Sequence, residues 1–413
     1  MKKRFWVLIV LVLFSIITYL DRTSISITGN QITQDLNLTE KQFGWIMGSF
    51  AFAYGIFEIP MGLWGDLKGP KSVLFRIVLS WSVFTILTGF SYTFTGLFII
   101  RFLFGLGEAG AYPNATIVIN TWFPKQEAGR AQSFIWIASR VGAAIAPFIA
   151  LYIMSQWGWR YVFYIFGCLG ILWSVFWYFW FQNEPKNMPG ISSDELAHIE
   201  KGREQKITYN TWQIFLTVLK TPNVWALMGM YHCLLYGAYF YLSWMPKYLK
   251  NGKGVDDLDL AFLASLPFIL GTIGCFSGGF LSDYLAKKTS LKWGRRAVGM
   301  FGLVMSGICM ISSTFVADLN TSIVVLAFGL AFKDFTLPVS WATSSDIGGQ
   351  HSGVVAGAMG MAGQLGSTIM SIAFGYILAA TGNWDIPVRI IGLVVILGGL
   401  LWLRINPEKK IIF

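Results

Sequence analysis

Gly62-Leu63-Trp64-Gly65-Asp66-Leu67-Lys68-Gly69-Pro70-Lys71 is the stretch on which the reading of this 413-residue chain turns, because a second copy follows in its other half. Gly279-Phe280-Leu281-Ser282-Asp283 repeats the Gly-x-x-x-Asp core, and Lys287, Lys288, Arg295 and Arg296 follow it as Lys71 follows the first. Each copy closes an apolar run. Glycine lets a neighbouring helix approach closely in lipid. An aspartate at the end of such a run can bond backbone amides or a basic side chain across the cytoplasmic mouth. A single Gly-x-x-x-Asp says little, but two at matching places in two sets of six apolar runs point to an internal duplication. Gly62, Asp66, Gly279 and Asp283 are therefore candidate gating residues.

The composition agrees. Hydrophobic residues make up 55% of the chain and charged residues 13%, whereas a soluble protein carries about 25% charged residues. A membrane span takes about 20 apolar residues. The pattern predicts twelve spans, over 5–27, 43–65, 72–91, 95–120, 130–155, 160–182, 223–249, 258–284, 296–316, 320–344, 353–380 and 386–405. The fold class is all-α and polytopic, with two pseudo-symmetric six-helix halves, 1–182 and 223–413, around a central cavity. Residues 183–222 form a cytoplasmic linker. Within it Ser192-Ser193-Asp194-Glu195 reads as a capping box that opens a short amphipathic helix. The first apolar run follows Lys2-Lys3-Arg4 as a signal peptide would. It is too long, carries Asp21-Arg22 and lacks a small-residue cleavage site, so it reads as the first span.

The net charge of +10 would suit a nucleic-acid partner, but its distribution fits topology instead. With the N-terminus inside, 21 Lys and Arg fall in loops on that side and 5 (Lys41, Arg160, Lys247, Lys250, Lys253) on the other. Basic residues stay cytoplasmic, so both termini and the linker are expected there, in a cell membrane. Cys168, Cys233, Cys275 and Cys309 lie singly in apolar stretches, and His198, His232 and His351 are scattered; neither set has metal-ligand spacing. An enzyme would need a nucleophile and base, a metal set or a phosphate loop, and no such set is present; a sensor would need a soluble domain larger than the linker.

Arg22, Arg101, Arg140, Lys333 and Arg389 remain inside spans. Arg389 lies near a span end and can snorkel. An ionisable residue at membrane depth costs at least ~2.5 kcal/mol, so it normally pairs or faces water. Arg101 and Glu108 are two helical turns apart on one face, about 10 Å. Asp21 and Arg22 are neighbours about 100° apart on the first span. Two acids and two bases can thus line one cavity. Arginine keeps its charge and offers a fork that fits a carboxylate, so Arg22 or Arg101 can clamp an anion. Buried carboxylates can cycle protons, which makes Asp21 and Glu108 coupling candidates. Protonating Glu108 would release a paired arginine to the substrate. The competing reading is a structural ion-pair network between the first and fourth spans.

Tyr19-Leu20-Asp21-Arg22, with Arg101-Phe-Leu-Phe-Gly-Leu-Gly-Glu108-Ala-Gly-Ala-Tyr-Pro113-Asn114 and Trp122-Phe123-Pro124, resembles the anion:cation symporter branch of the major facilitator superfamily. The Gly-x-x-x-Asp copies resemble the loop motif of that superfamily. The first copy departs from it, with Leu67 where arginine is common and Pro70 within the basic pair. The resemblance implies that Asp21 and Glu108 couple protons, that Arg22 and Arg101 serve gating and substrate, and that Tyr19 and Tyr54 line the site. Arg140 stands where better-known members carry small or amide residues, and reads as an extra anion clamp or as the partner of an acid on a neighbouring span. Lys333-Asp334 reads chiefly as a locally neutralised pair. Trp341 and Gln364, with Ser340 and Ser344, sit at cavity depth in the second half; Glu58 shares a face with Tyr54. Trp173, Trp177 and Trp180 read as lipid-facing or interfacial.

The expectation is a monomeric secondary transporter in the lipid bilayer, carrying a small organic anion (a sugar acid or polycarboxylate) by proton-coupled symport and alternating access. It uses no cofactor beyond the coupling proton, no metal and no nucleic acid. The alternative is an exporter or exchanger of an anionic metabolite, a carboxylate siderophore or a drug.

Overall fold

The computed structural model describes residues 2–200, 217, 220–349 and 352–411, and every regular element among them is helical. His351 and the linker residues Lys201, Arg203 and Lys206 lie outside the described residues. In chain order the helices are α1 (Lys3–Ile27), α2 (Gly29–Asp35), α3 (Glu40–Lys68), α4 (Pro70–Gly89), α5 (Phe94–Glu108), α6 (Ala111–Trp122), α7 (Lys125–Trp157) and α8 (Trp159–Trp180). After the linker helix α9 (Ser193–Glu200) come α10 (Pro222–Tyr239), α11 (Asp257–Lys288), α12 (Leu291–Ser313), α13 (Leu319–Gly348), α14 (Ser352–Thr381) and α15 (Asp385–Leu401). Helix occupies all twelve expected positions. Among the described residues, nine segments are long and apolar enough to cross a membrane, with α5 and α6 taken as one. Helices α3, α10 and α15 are not among the nine.

Two spans differ from expectation. The fourth is broken at Ala109-Gly110, where Gly110 takes a left-handed φ of 81°. Pro113 explains the break, because its ring clashes with the carbonyl four residues back, that of Ala109. The break also lets α3 approach: a Cβ on Gly110 would lie 2.4 Å from Met61 Cβ. The seventh span continues past α10 as π-helical turns, Phe240–Trp244 and Tyr248–Gly252, on either side of Met245–Lys247.

The contacts divide the chain into two units. One comprises Met1–Thr28 and Ile56–Ile207, and the other Gly29–Gly55 and Thr208–Phe413, so the boundary cuts α3. In the first unit α1 packs on α7 and α4 packs on α8. Phe14 centres this packing, its ring 5.6 Å from Trp81 and 5.3 Å from Trp173. Trp173 and Trp177 are buried, not lipid-facing. The indole N–H explains the difference, since at membrane depth a donor needs an acceptor: Trp173 donates to Val10 O (2.9 Å) and Trp177 to Lys71 O (3.2 Å). At the start of linker helix α9 the serine half of the expected capping box is present, with Ser192 Oγ accepting from Glu195 N at 3.2 Å. Glu195 itself reaches the backbone amides of Lys3 and Arg4 (3.0 and 2.9 Å) and so caps α1, where a carboxylate suits the unpaired N–H groups.

In the second unit α13 packs on α11 and α12, and α10 on α14 and α15. The approach is close: a Cβ on Gly278 would sit 1.9 Å from Phe335 O, and one on Gly366 2.3 Å from His232 O. The duplicated motif has matching surroundings. Gly62 faces Pro113 of α6 and Gly279 faces Pro338 of α13. Gly29–Gly55 falls with this unit because the α3 glycines Gly44 and Gly48 lie against α14, at Ser371 O and Ile372.

Candidate substrate and coupling site

Helix α1 carries Tyr19, Asp21 and Arg22 into the interior of the first unit. Its many hydroxyls do not interrupt it. Thr18 donates to Phe14 O (2.8 Å), Thr23 to Tyr19 O (2.7 Å) and Ser24 to Asp21 O (2.7 Å), so these three hydroxyls bond helix carbonyls and do not compete for its amides. Asp21 is buried, and its Oδ2 accepts from the Trp81 indole of α4 at 3.0 Å.

Helix α5 brings Arg101 and Glu108, both fully buried. Glu108 is the last residue before the helix break. Its Oε1 accepts from Arg22 Nε, an ion pair that joins α5 to α1. The Arg22 guanidinium also lies 5.5 Å from the ring of Tyr19 and 5.9 Å from that of Tyr112, within cation–π range. Arg101 stacks over Phe104 at 4.3 Å, and its charge acts on both Asp21 and Glu108. The second oxygen of each carboxylate, Asp21 Oδ1 and Glu108 Oε2, has no hydrogen-bond partner among the described residues. Each is a place for a proton, and at Glu108 a proton removes the charge that holds Arg22.

The four charges expected to share a site thus lie together. Three aromatics that the sequence did not single out complete their surroundings: Trp81, Tyr112 and Trp136. Tyr112 of α6 stacks on Trp136 of α7, ring centroids 4.9 Å apart and planes within 3°, and its hydroxyl meets Ser15 Oγ at 3.2 Å. Tyr112 falls within the quoted fourth-span motif and was within reach of sequence reasoning. Trp81 is one of 18 tryptophans and carries no distinguishing signal.

Arg140 of α7 is 9% exposed. Tyr54, Trp341 and Gln364 belong to the second unit. Tyr54 is buried beside Phe50, and a Cβ on its neighbour Gly55 would lie 2.6 Å from Gln364 Cβ. Trp341 stands edge-on to Tyr231 at 6.3 Å and is 36% exposed. Lys333 and Asp334 form a buried ion pair with each other, as local neutralisation requires.

The two motif copies differ in what is described. Asp283 Oδ1 accepts from Arg295 Nη1 at 2.7 Å, and Arg295 also donates to Asp346 (3.1 Å) and Ser282 (2.9 Å). That is the bond to a basic side chain anticipated for the motif. The Asp66 side chain lies outside the described residues. Around it, Gly65 packs on Asn114, which donates to Met61 O (3.1 Å) and Gly110 O (2.8 Å).

Lys247 departs from its loop assignment. It is 1% exposed, donates to Glu40 (2.7 and 2.9 Å) and Thr33 (3.1 Å), and lies 4.5 Å from the Phe43 ring.

The family model described as Major Facilitator Superfamily matches residues 11–292. A probable sulfoacetate transporter of Cupriavidus necator is 33% identical over 98% of this chain and 94% of its own length. Probable galactarate/D-glucarate transporters of Escherichia coli and Bacillus subtilis are 31% and 32% identical over 99% of this chain and 94% and 93% of theirs. The crystal structure of a bacterial homolog to the human lysosomal transporter Spinster, inward-facing and unoccupied, superimposes with a TM-score of 0.78 at 17% identity, covering 98% of both chains. The relatives are named as transporters, not enzymes, and this chain is a multi-pass membrane protein that belongs to the major facilitator superfamily.

Proposed function

We propose that this protein is a proton-coupled symporter of small organic anions, with Asp21 and Glu108 as the coupling carboxylates and Arg22 and Arg101 as the anion-binding cations. The observation that carries the reading is the buried ion pair between Arg22 and Glu108. While Glu108 is ionised it holds the Arg22 fork. Once protonated it loses its charge, and the guanidinium is available to a substrate carboxylate or sulfonate, which it binds as a bidentate partner. Proton entry and anion entry then favour one another through a single side chain. Asp21 sits beside this exchange, oriented by the Trp81 indole.

The substrate class follows from the relatives. Sulfoacetate, galactarate and D-glucarate are small organic acids with two anionic groups. Tyr19 lines the same site, and Tyr54, Trp341 and Gln364 are further candidates for substrate contact. Gly62, Asp66, Gly279 and Asp283 act as gating elements during alternating access across twelve spans in two halves. The excess of basic residues in cytoplasmic loops supports a plasma-membrane protein with both termini inside. It works as a monomer and needs no cofactor besides the proton.

The test is uptake of labelled sulfoacetate or D-glucarate into proteoliposomes under an imposed inward proton gradient. Accumulation above the equilibrium level, abolished by a protonophore, is expected. Accumulation that ignores the gradient for every sugar acid, polycarboxylate and sulfonate tried refutes the proton coupling.

A further inference from the structure

Lys287, Lys288 and Arg296 follow the second Gly-x-x-x-Asp copy, yet the coupling and gating scheme uses none of them. Lys287 ends a ladder on one face of α11. Ile273, Phe276, Phe280, Tyr284 and Lys287 are all exposed, and their spacing of three or four residues keeps them on one side of the helix. The far side packs inward. A Cβ on Gly274 would sit 2.0 Å from Ala331 O of α13, and one on Gly278 1.9 Å from Phe335 O. Both α11 and α12 are long and apolar enough to cross a membrane, so the turn between them lies at a membrane surface. From Ile273 to Tyr284 the ladder rises about 16 Å, one leaflet of a hydrocarbon core about 30 Å thick. Tyr284 then falls at headgroup level, where tyrosine is enriched, with the Lys288 ammonium 4.7 Å from its ring.

Tertiary contacts gather charge at the head of this ladder. Helix α12 packs against both α11 and α15. Arg296 Nε donates to Ile405 O at 2.6 Å and Lys292 N donates to Glu408 Oε1 at 3.1 Å, which ties the segment after α15 to the first turns of α12. The stretches 280–296 and 402–411 so joined hold eight Lys and Arg against two acids. Both acids are engaged, Asp283 by Arg295 and Glu408 by the Lys292 amide. Trp293 and Arg404 are exposed on the joined segments. A surface that passes from apolar to aromatic to cationic over one leaflet matches a phospholipid from acyl chain to headgroup, and its excess positive charge selects an anionic headgroup.

We propose that this face of α11, with the cations that α12 and the segment after α15 add to it, is a binding site for an anionic phospholipid of the surrounding bilayer. Purified protein in neutral detergent is titrated with phosphatidylglycerol or with zwitterionic phosphatidylcholine, and thermal stabilisation is read. Phosphatidylglycerol is expected to stabilise at a concentration about tenfold lower. Lys287→Gln combined with Arg404→Gln raises its half-stabilising concentration about twenty-fivefold, about fivefold for each cation lost, and leaves that of phosphatidylcholine unchanged. Lys41→Gln is the charge control. The Lys41 ammonium lies 5.2 Å from the Tyr376 ring near the end of α14, three crossings from the α11–α12 turn and so at the opposite surface. This variant keeps the wild-type affinity for phosphatidylglycerol. Glycerol 3-phosphate, a headgroup anion without acyl chains, is expected not to stabilise at these concentrations. Equal stabilisation by the two phospholipids, or wild-type affinity in the double variant, overturns the proposal. So does an equal loss in Lys41→Gln, or stabilisation by glycerol 3-phosphate at the concentration where phosphatidylglycerol acts.

Discussion

Removing Glu40 leaves a buried ammonium without its counter-charge, and the structure gives the size of the effect. The side chain of Lys247 is 1% exposed and that of Glu40 28%. In Glu40→Gln the Lys247 ammonium stays in its pocket, facing the Thr33 hydroxyl, the Phe43 ring and a neutral amide. Leaving a buried charge uncompensated destabilises by about 3 kcal/mol. Lys247→Met is milder, about 1 kcal/mol, because the Glu40 carboxylate can turn to water and only hydrogen bonds are lost. The double substitution is then close to Lys247→Met alone, a coupling energy of about 3 kcal/mol. Unfolding of the purified protein in a denaturing detergent titration, run on all four forms, measures this cycle. Two single substitutions of equal and small effect would refute the reasoning, since the asymmetry follows directly from the difference in burial.

Two more predictions concern the second unit. Gly278→Ala places a Cβ where Phe335 O now lies, forces α11 and α13 apart, and lowers stability by about 1–3 kcal/mol; thermal unfolding reads it. Arg295→Met removes the shared partner of Asp283, Asp346 and Ser282, and is expected to slow the conformational cycle, seen as a lower rate of substrate counterflow with ligand-induced thermal stabilisation preserved.

Much of the site was legible because membrane depth makes charge conspicuous. Asp21, Arg22, Arg101 and Glu108 stood out once the loop lysines and arginines were accounted for, and the structure gathers them in one unit. Which arginine pairs with Glu108 was not legible. Helical spacing relates Arg101 to Glu108 within one helix, whereas the partner found, Arg22, comes from another. The break at Ala109-Gly110 follows from Pro113 by backbone sterics, yet the apolar run passes through it without a signal. Trp173 and Trp177 were misplaced for a related reason. Hydropathy gives the preference of a tryptophan for lipid, and their buried positions depend on which carbonyls their N–H groups reach. Lys247 was counted with the loops because its partners, Glu40 and Thr33, are more than two hundred residues away.

The exchange of Arg22 between Glu108 and the substrate anion is tested most directly by Glu108→Gln in proteoliposomes, assayed for gradient-driven uptake and for counterflow of the same labelled dianion. The glutamine is a permanent neutral stand-in for protonated Glu108, so the charge that holds Arg22 to α5 is absent throughout the cycle. Counterflow is expected to persist while accumulation driven by the proton gradient is lost. Accumulation by Glu108→Gln at the wild-type level would contradict the exchange.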